Sequence, residues 1–154
     1  MKTLFVLAAI LVSANAHADG FSCEASRDSL AVTVYNHTQP SEGTRNAAVM
    51  VVSDPSLQFG NKTIARFSDV NSTLSNRGAF YVADVDLRFN DSGRKGELIG
   101  GTKLGQLKHI KLDVDFSYGE PVNAGDVVPA LLTLIKRNGD TIELSMNCSR
   151  YLKN

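Results

Sequence analysis

Near the end of the chain two runs of strand-forming residues meet at Asn138-Gly139, and this feature constrains the fold more than any other. The stretch reads Pro129-Ala-Leu-Leu-Thr-Leu-Ile-Lys-Arg-Asn-Gly-Asp-Thr-Ile-Glu-Leu-Ser-Met-Asn-Cys148-Ser-Arg-Tyr-Leu152. Asn-Gly readily takes the positive φ angles of a type I′ turn, so the expectation is a β-hairpin with a two-residue loop. Such a loop sets Ile135 opposite Ile142, Thr133 opposite Leu144 and Leu131 opposite Met146 on an apolar side, with Lys136, Glu143 and Ser145 on the other. Cys148 falls on the apolar side. The chain has only two cysteines, and the other, Cys23, lies far away in sequence. The hairpin is therefore expected to close the fold by holding the first strand to the last.

The opening residues bear on where this chemistry takes place. Lys2 is followed by an apolar run from Leu4 to Val12 and then by small and polar residues ending Ala16-His17-Ala18. That is the pattern of a cleaved export signal, and residues 1–18 are set aside from the fold. The run is shorter than the roughly 20 apolar residues that span a bilayer. Lipidation is not expected, because the first mature position is Asp19 rather than a cysteine. The remaining residues, 19–154, are enough for a single β domain with its own core. The expected location is periplasmic or secreted. In an oxidising compartment the two cysteines are most simply a Cys23–Cys148 disulfide.

The rest of the chain alternates between strand and turn signals. Phe21 to Ser26 reads as a short strand carrying Cys23. Leu30, Val32 and Val34 alternate with Ala31, Thr33 and Tyr35. Ala47 to Val52 is a continuous apolar run suited to a strand buried on both faces. Asp54-Pro55 opens what could be one helical turn ending at Gly60. Thr63 to Ser68 reads as a strand, Asn71 to Gly78 as polar strand or loop. From Phe80 to Phe89, Tyr81, Ala83, Val85, Leu87 and Phe89 share one face against Asp84, Asp86 and Arg88. Four glycines between Gly96 and Gly105 suggest a short edge strand around Leu98 with a bend. Lys108 to Tyr118 points Ile110, Leu112, Val114 and Phe116 inward and Lys111, Asp113 and Asp115 outward. Asp126 to Arg137 has a helix cap and a helix stop, yet Val127, Val128, Thr133 and Ile135 favour strand. Seven to nine strands with no crossover helix mean an all-β fold, an antiparallel β-sandwich or flattened barrel.

Charge excludes some functions. Lys and Arg number 16 and Asp and Glu 16, and the leader removes only Lys2. Without a clustered basic excess, a nucleic-acid partner is not expected. Two Asp-Val-Asp segments each put a pair of carboxylates on one strand face. If the strands were neighbours, Asp84, Asp86, Asp113 and Asp115 could converge on calcium; the plainer account is that outward positions of alternating strands are polar. His37 and His109 lack the ligand spacing of a zinc site. No Gly-x-Ser-x-Gly elbow is present. The sequence from Gly96 to Lys103 has its Lys and Thr in the wrong order for a phosphate loop and reads as a glycine-rich turn. No cofactor is implied.

The ending Cys148-Ser-Arg-Tyr-Leu-Lys-Asn154, after a Lys-Arg-Asn-Gly hairpin, resembles the ends of small exported proteins of predatory Gram-negative bacteria. The resemblance spans roughly the last 25 residues plus a cysteine soon after the signal. It implies export and a β fold and carries no activity with it.

These readings converge on an exported, non-enzymatic binding domain. Its expected partner is an envelope or secreted protein, a hydrolase that it inhibits being one case, or a saccharide. The expected recognition surfaces are the His37–Arg45 turn, the Asn90–Gly105 segment and the Tyr118–Asp126 loop. The alternative is a small secreted hydrolase or metal-dependent enzyme using His109 with Asp113 or Asp115, which share one strand face.

Overall fold

The computed structural model describes residues 19–26, 29–37, 43–54, 64–74, 80–87, 98–115, 117 and 125–152. The expected leader (residues 1–18), the stretch 55–60, Phe89, Phe116 and most of the three expected recognition loops lie outside these residues. Eight strands form a closed antiparallel barrel: β1 (Asp19–Ala25), β2 (Ala31–Asn36), β3 (Asn46–Ser53), β4 (Ile64–Leu74), β5 (Phe80–Asp86), β8 (Leu107–Asp115), β9 (Val127–Lys136) and β10 (Thr141–Leu152). Each pairs with the next in sequence, and β10 returns to β1. The two-residue strands β6 (Leu98–Ile99) and β7 (Thr102–Lys103) make a separate hairpin between β5 and β8, followed by one 3-10 turn at Leu104–Gln106. Closure leaves the barrel wall no free strand edge, which in an open sheet would invite pairing with another chain.

Alternation decides which side chains fill the interior. Val32 and Val34 of β2, Ala83 and Val85 of β5, Ile110, Leu112 and Val114 of β8, and Leu132 and Leu134 of β9 are all buried in one cluster. Their neighbours along each strand point outward and include Glu24, Arg66, Asp84, Lys111 and Glu143. An eight-stranded barrel is just wide enough for side chains to fill. Here they do: Val32, Met50, Ala65, Tyr81, Ile110, Leu112 and Leu132 have no solvent exposure at all.

Two bulges interrupt the alternation. Opposite Ala48 and Met50 of β3 stand Val70 and Phe67, so β4 carries one residue more than its partner. Opposite Lys136 and Ile135 of β9 stand Leu107 and His109, so β8 carries the extra residue there. Each bulge shifts the inward phase by one and lets the strand go on contributing to the core. That is why β4 runs through to Leu74, well past the Ser68 at which its regular pattern stops. Pro129 marks another boundary. Pairing of β8 with β9 ends at Val114 and Ala130, next to the one residue of β9 that has no N–H for the ladder.

The Cys23–Cys148 disulfide is present, and the first strand is tied to the last. The two residues face each other across β1 and β10 with Cα atoms 3.9 Å apart. Ser26 N–H donates to Ser145 O three residues along the same ladder. Alternation then makes Cys23 and Cys148 a non-hydrogen-bonded pair, the closer-spaced kind.

The hairpin that ties them differs from expectation in one respect. Its loop has three residues, Arg137 to Gly139: Lys136 N–H donates to Asp140 O at 2.8 Å and Gly139 N–H to Lys136 O at 3.1 Å. Only Gly139 has positive φ, at 94°, while Asn138 spends its side chain on the Asp140 N–H. This is a tight turn followed by a glycine bulge rather than a type I′ loop. The extra residue moves the register, so that Ile135 pairs with Thr141 and Leu134 with Ile142. Leu132 and Leu134 therefore fill the core, and Leu131, Thr133 and Ile135 face outward, the reverse of the sequence expectation. The β10 face, with Met146 and Cys148 buried, is as expected.

Candidate functional site

The outer wall over β5 and β8 is where the sequence placed its titratable groups. These strands are neighbours, as convergence of the four carboxylates requires, but the register interleaves them with other residues. Asp84 lies opposite Lys111, Asp86 opposite His109, Val82 opposite Asp113 and Phe80 opposite Asp115. Lys111 Nζ is 3.0 Å from Asp113 Oδ1, and His109 Nδ1 is 3.5 Å from Asp84 Oδ1. Asp115 Oδ1 accepts the backbone N–H of Ser117 at 2.7 Å. Among the described residues no group of three or more His, Cys, Asp or Glu is arranged to hold a metal ion.

His109 and Asp113 are four residues apart on one extended strand, roughly 13 Å along its axis. His109 is thus near Asp84 rather than near Asp113 or Asp115. The wall of a closed barrel is convex, and among the described residues no group of three or more His, Cys, Asp or Glu gathers around His109. His37 lies exposed beyond the end of β2, at the barrel end opposite the β6–β7 hairpin.

A different polar set sits inside the barrel, at the end where β2 finishes and β5 begins. Asn36, Ser72 and Tyr81 are fully buried. Asn36 Oδ1 accepts the Ser72 hydroxyl at 2.5 Å and the Tyr81 hydroxyl at 3.2 Å. The Tyr81 ring packs on Phe21, with centroids 4.9 Å apart. Asn36 Nδ2 has no hydrogen-bond partner. Turning the amide over would put Oδ1 in that position, so one end is unpartnered either way. Leaving such a buried group unsatisfied costs about 1–3 kcal/mol. The sequence reading left Asn36 and Ser72 out, because both are polar and stand near turns. The signal for Asn36 was its phase, since Leu30, Val32, Val34 and Asn36 fall on one face.

The opposite end of the barrel is closed by the chain itself. Between β5 and β8 the β6–β7 hairpin folds over it, turning at Gly100 and Gly101 with φ of 53° and 73°. Both angles are positive, as a two-residue type I′ turn requires. The glycine-rich stretch that the sequence marked as a bend is thus a hairpin tip. Ile99 is fully buried, and Thr102 and Leu104 nearly so. A Cβ on Gly100 would lie 3.0 Å from Leu134 Cδ1 and 3.3 Å from Leu144 Cδ1, so any other residue would push these leucine ends aside by a few tenths of an ångström and would have to hold a φ of 53°.

Two side chains fasten this cap. Asp54, itself buried, accepts the Gly100 N–H at 2.7 Å. Arg137, in the β9–β10 loop, donates to Leu87 O at 3.0 Å and Gly105 O at 3.2 Å, while its backbone N–H reaches Gln106 O. An open hollow of about 340 Å³ lies beside it, lined by Gly105, Gln106, Lys136, Arg137 and Asn138. Of the three loops expected to recognise a partner, the Asn90–Gly105 segment ends in this cap. The described parts of the other two, at 37 and 43–45 and at 125–126, lie at the opposite end. Compared with known protein families, with curated proteins and with solved structures, the chain shows no match.

Proposed function

We propose that the protein is an exported, non-enzymatic binding domain that recognises another protein through an end of its barrel. The observation that carries this reading is the filled interior. Side chains with no solvent exposure line it from Val32 through Leu132, so among the described residues it shows no chamber of the kind in which ligand-carrying barrels hold small molecules. Recognition then falls to the connections at the ends, which a disulfide-closed scaffold holds in place. The polarity of the wall agrees. Apolar residues face inward and Asp84, Lys111, Asp113 and Glu143 outward, the inverse of a barrel that spans a bilayer. A buried disulfide joining the first and last strands suits an oxidising compartment. An envelope protein or a secreted hydrolase held inhibited is the partner class this reading favours over a saccharide.

The test is capture by tagged protein, residues 19–154, from envelope and culture fractions, followed by reconstitution with the purified partner. A saturable complex of fixed stoichiometry is expected. Failure of every captured protein to bind when purified would refute the reading.

A further inference from the structure

The outward row of β9 carries no charge. Val127, Pro129, Leu131, Thr133 and Ile135 all lie on the side away from the core, and Val127 is 65% exposed. Outward positions of alternating strands are normally polar, as Glu143, Ser145 and Asn147 are on β10 and Lys111 and Asp113 are on β8. An apolar row about 27 Å long, rimmed on both sides by polar residues, is the kind of surface that proteins bury against a partner.

The charges beside the row say which partner fits. On β8, His109 is level with Ile135, Lys111 with Thr133 and Asp113 with Leu131, and Asp115 follows on the same face. The β8 row is thus divided, with His109 and Lys111 in one half and Asp113 and Asp115 in the other. The division falls between the levels of Thr133 and Leu131, the middle of the stretch from Pro129 to Ile135. A half-turn about an axis crossing both strands at that level brings a second copy face to face, with its strands reversed. Lys111 of each copy then meets Asp113 of the other, and His109 meets Asp115. On β9, Leu131 meets Thr133 and Pro129 meets Ile135.

From this self-complementarity we infer that the outer face of β8 and β9 is a dimer interface and that its occupant is a second copy of this chain. The interface is isologous, as in most two-subunit proteins. Lys111 Nζ and Asp113 Oδ1 already pair within one chain at 3.0 Å and stay 41% and 27% exposed. The two copies' pairs therefore close into a ring of alternating charge, with no need to exchange partners. Complementary charges of this kind fix register more than they add affinity. The other symmetric arrangement, a half-turn about the strand direction, lays β8 on the second copy's β10. There Glu143 answers Lys111, but Ser145 and Asn147 give Asp113 and Asp115 no cation. The wall is convex, so contact is confined to the middle rows and buries less than the roughly 1,600 Å² of a standard interface. The dimer is accordingly a weak one that forms with rising concentration. Its strands run in opposite directions, so the two capped ends point opposite ways and all barrel ends stay open to other partners.

Sedimentation velocity on residues 19–154 tests this. The mean mass should climb toward twice that of the monomer between about 1 µM and about 1 mM, the span over which weak contacts dissociate. Leu131→Arg, which changes an outward side chain at the centre, should stay monomeric throughout. Lys111→Asp and Asp113→Lys should each weaken self-association by at least about tenfold, because each sets like charges opposite one another. An equimolar mixture of these two variants should dimerise, since the acidic face of one then meets the basic face of the other. The double variant carrying both changes should also dimerise, because the half-turn preserves its complementarity. Urea unfolding of each variant confirms that the barrel is intact. A domain that stays monomeric to about 1 mM would overturn the inference and leave the β9 row to some other cover. So would a dimer that survives Leu131→Arg, or single variants that fail to associate when mixed.

Discussion

Removing the disulfide should lower stability by several kcal/mol while leaving the folded barrel in place. Cys23 and Cys148 are 125 residues apart in sequence, so the bond closes almost the whole domain into one loop. For a loop of that length the chain-entropy relation gives about 5 kcal/mol, of which a fold typically realises about 3–5. The native state needs little change. β1 stays paired to β2 over Gly20 to Glu24 and to β10 over its full length. The cost therefore falls on the unfolded chain, which regains the freedom to separate its ends. Cys23→Ala with Cys148→Ala should show this in urea unfolding. The chain has no tryptophan, so far-ultraviolet circular dichroism is the natural probe. With a denaturant slope of about 2 kcal/mol per molar, the midpoint should fall by about 1.5–2.5 M. A fall worth less than about 1 kcal/mol would refute the reasoning, because it would mean that the ends of the unfolded chain stay together without the bond. The same burial makes a kinetic statement. Both sulfurs lie in side chains with no exposure, so dithiothreitol should cleave the bond only as fast as the domain unfolds. Faster cleavage would show that β1 peels away by itself.

Tyr81→Phe removes one of the two donors to Asn36 and should cost about 1 kcal/mol, whereas Asn36→Ala removes the acceptor that both hydroxyls share, leaving Ser72 with Asn46 O at 3.3 Å, and should cost more in the same unfolding experiment; equal costs would show that the three residues do not act as a network. Gly139→Ala forces a side chain into a φ of 94° and should destabilise by about 1 kcal/mol or more, with no loss if the turn simply rearranges. Asp113→Asn breaks a surface pair with Lys111 and should change stability by less than about 1 kcal/mol. Because Lys111 and His109 are interleaved with the β5 and β8 carboxylates, the melting midpoint should be the same in calcium and in chelator; a rise with calcium would place a site on this wall.

The strand pattern was legible wherever the alternation ran unbroken. β2, β5 and the lower part of β8 read correctly because nothing disturbs their period of two. β4 was legible only in its first half, since the extra residue between Phe67 and Val70 reverses its phase and leaves the second half reading as polar strand or loop. The hairpin failed more subtly. Asn138-Gly139 marks the turn, but a type I′ loop and a three-residue loop with a glycine bulge contain the same dipeptide. They differ in register by one residue, and in a strand one residue changes the face. The interior set of Asn36, Ser72 and Tyr81 was hidden for the opposite reason, since its phase is regular and its composition misleads. The strand and bend around Leu98 were legible in the glycines, but their place over the barrel end was not, because Asp54 and Gly100 meet across the fold.

The pairing of Asp19 with Leu152 sets the first and last described residues side by side at the barrel end remote from Gly100. A short linker could therefore join them, and the barrel should accept circular permutation, with new termini cut into a connection and Cys23–Cys148 left as an internal cross-link. The same arrangement fixes orientation. A support, dye or second domain attached directly at residue 19 or 152 sits behind the barrel, so a tethered copy presents its capped end outward to whatever diffuses past.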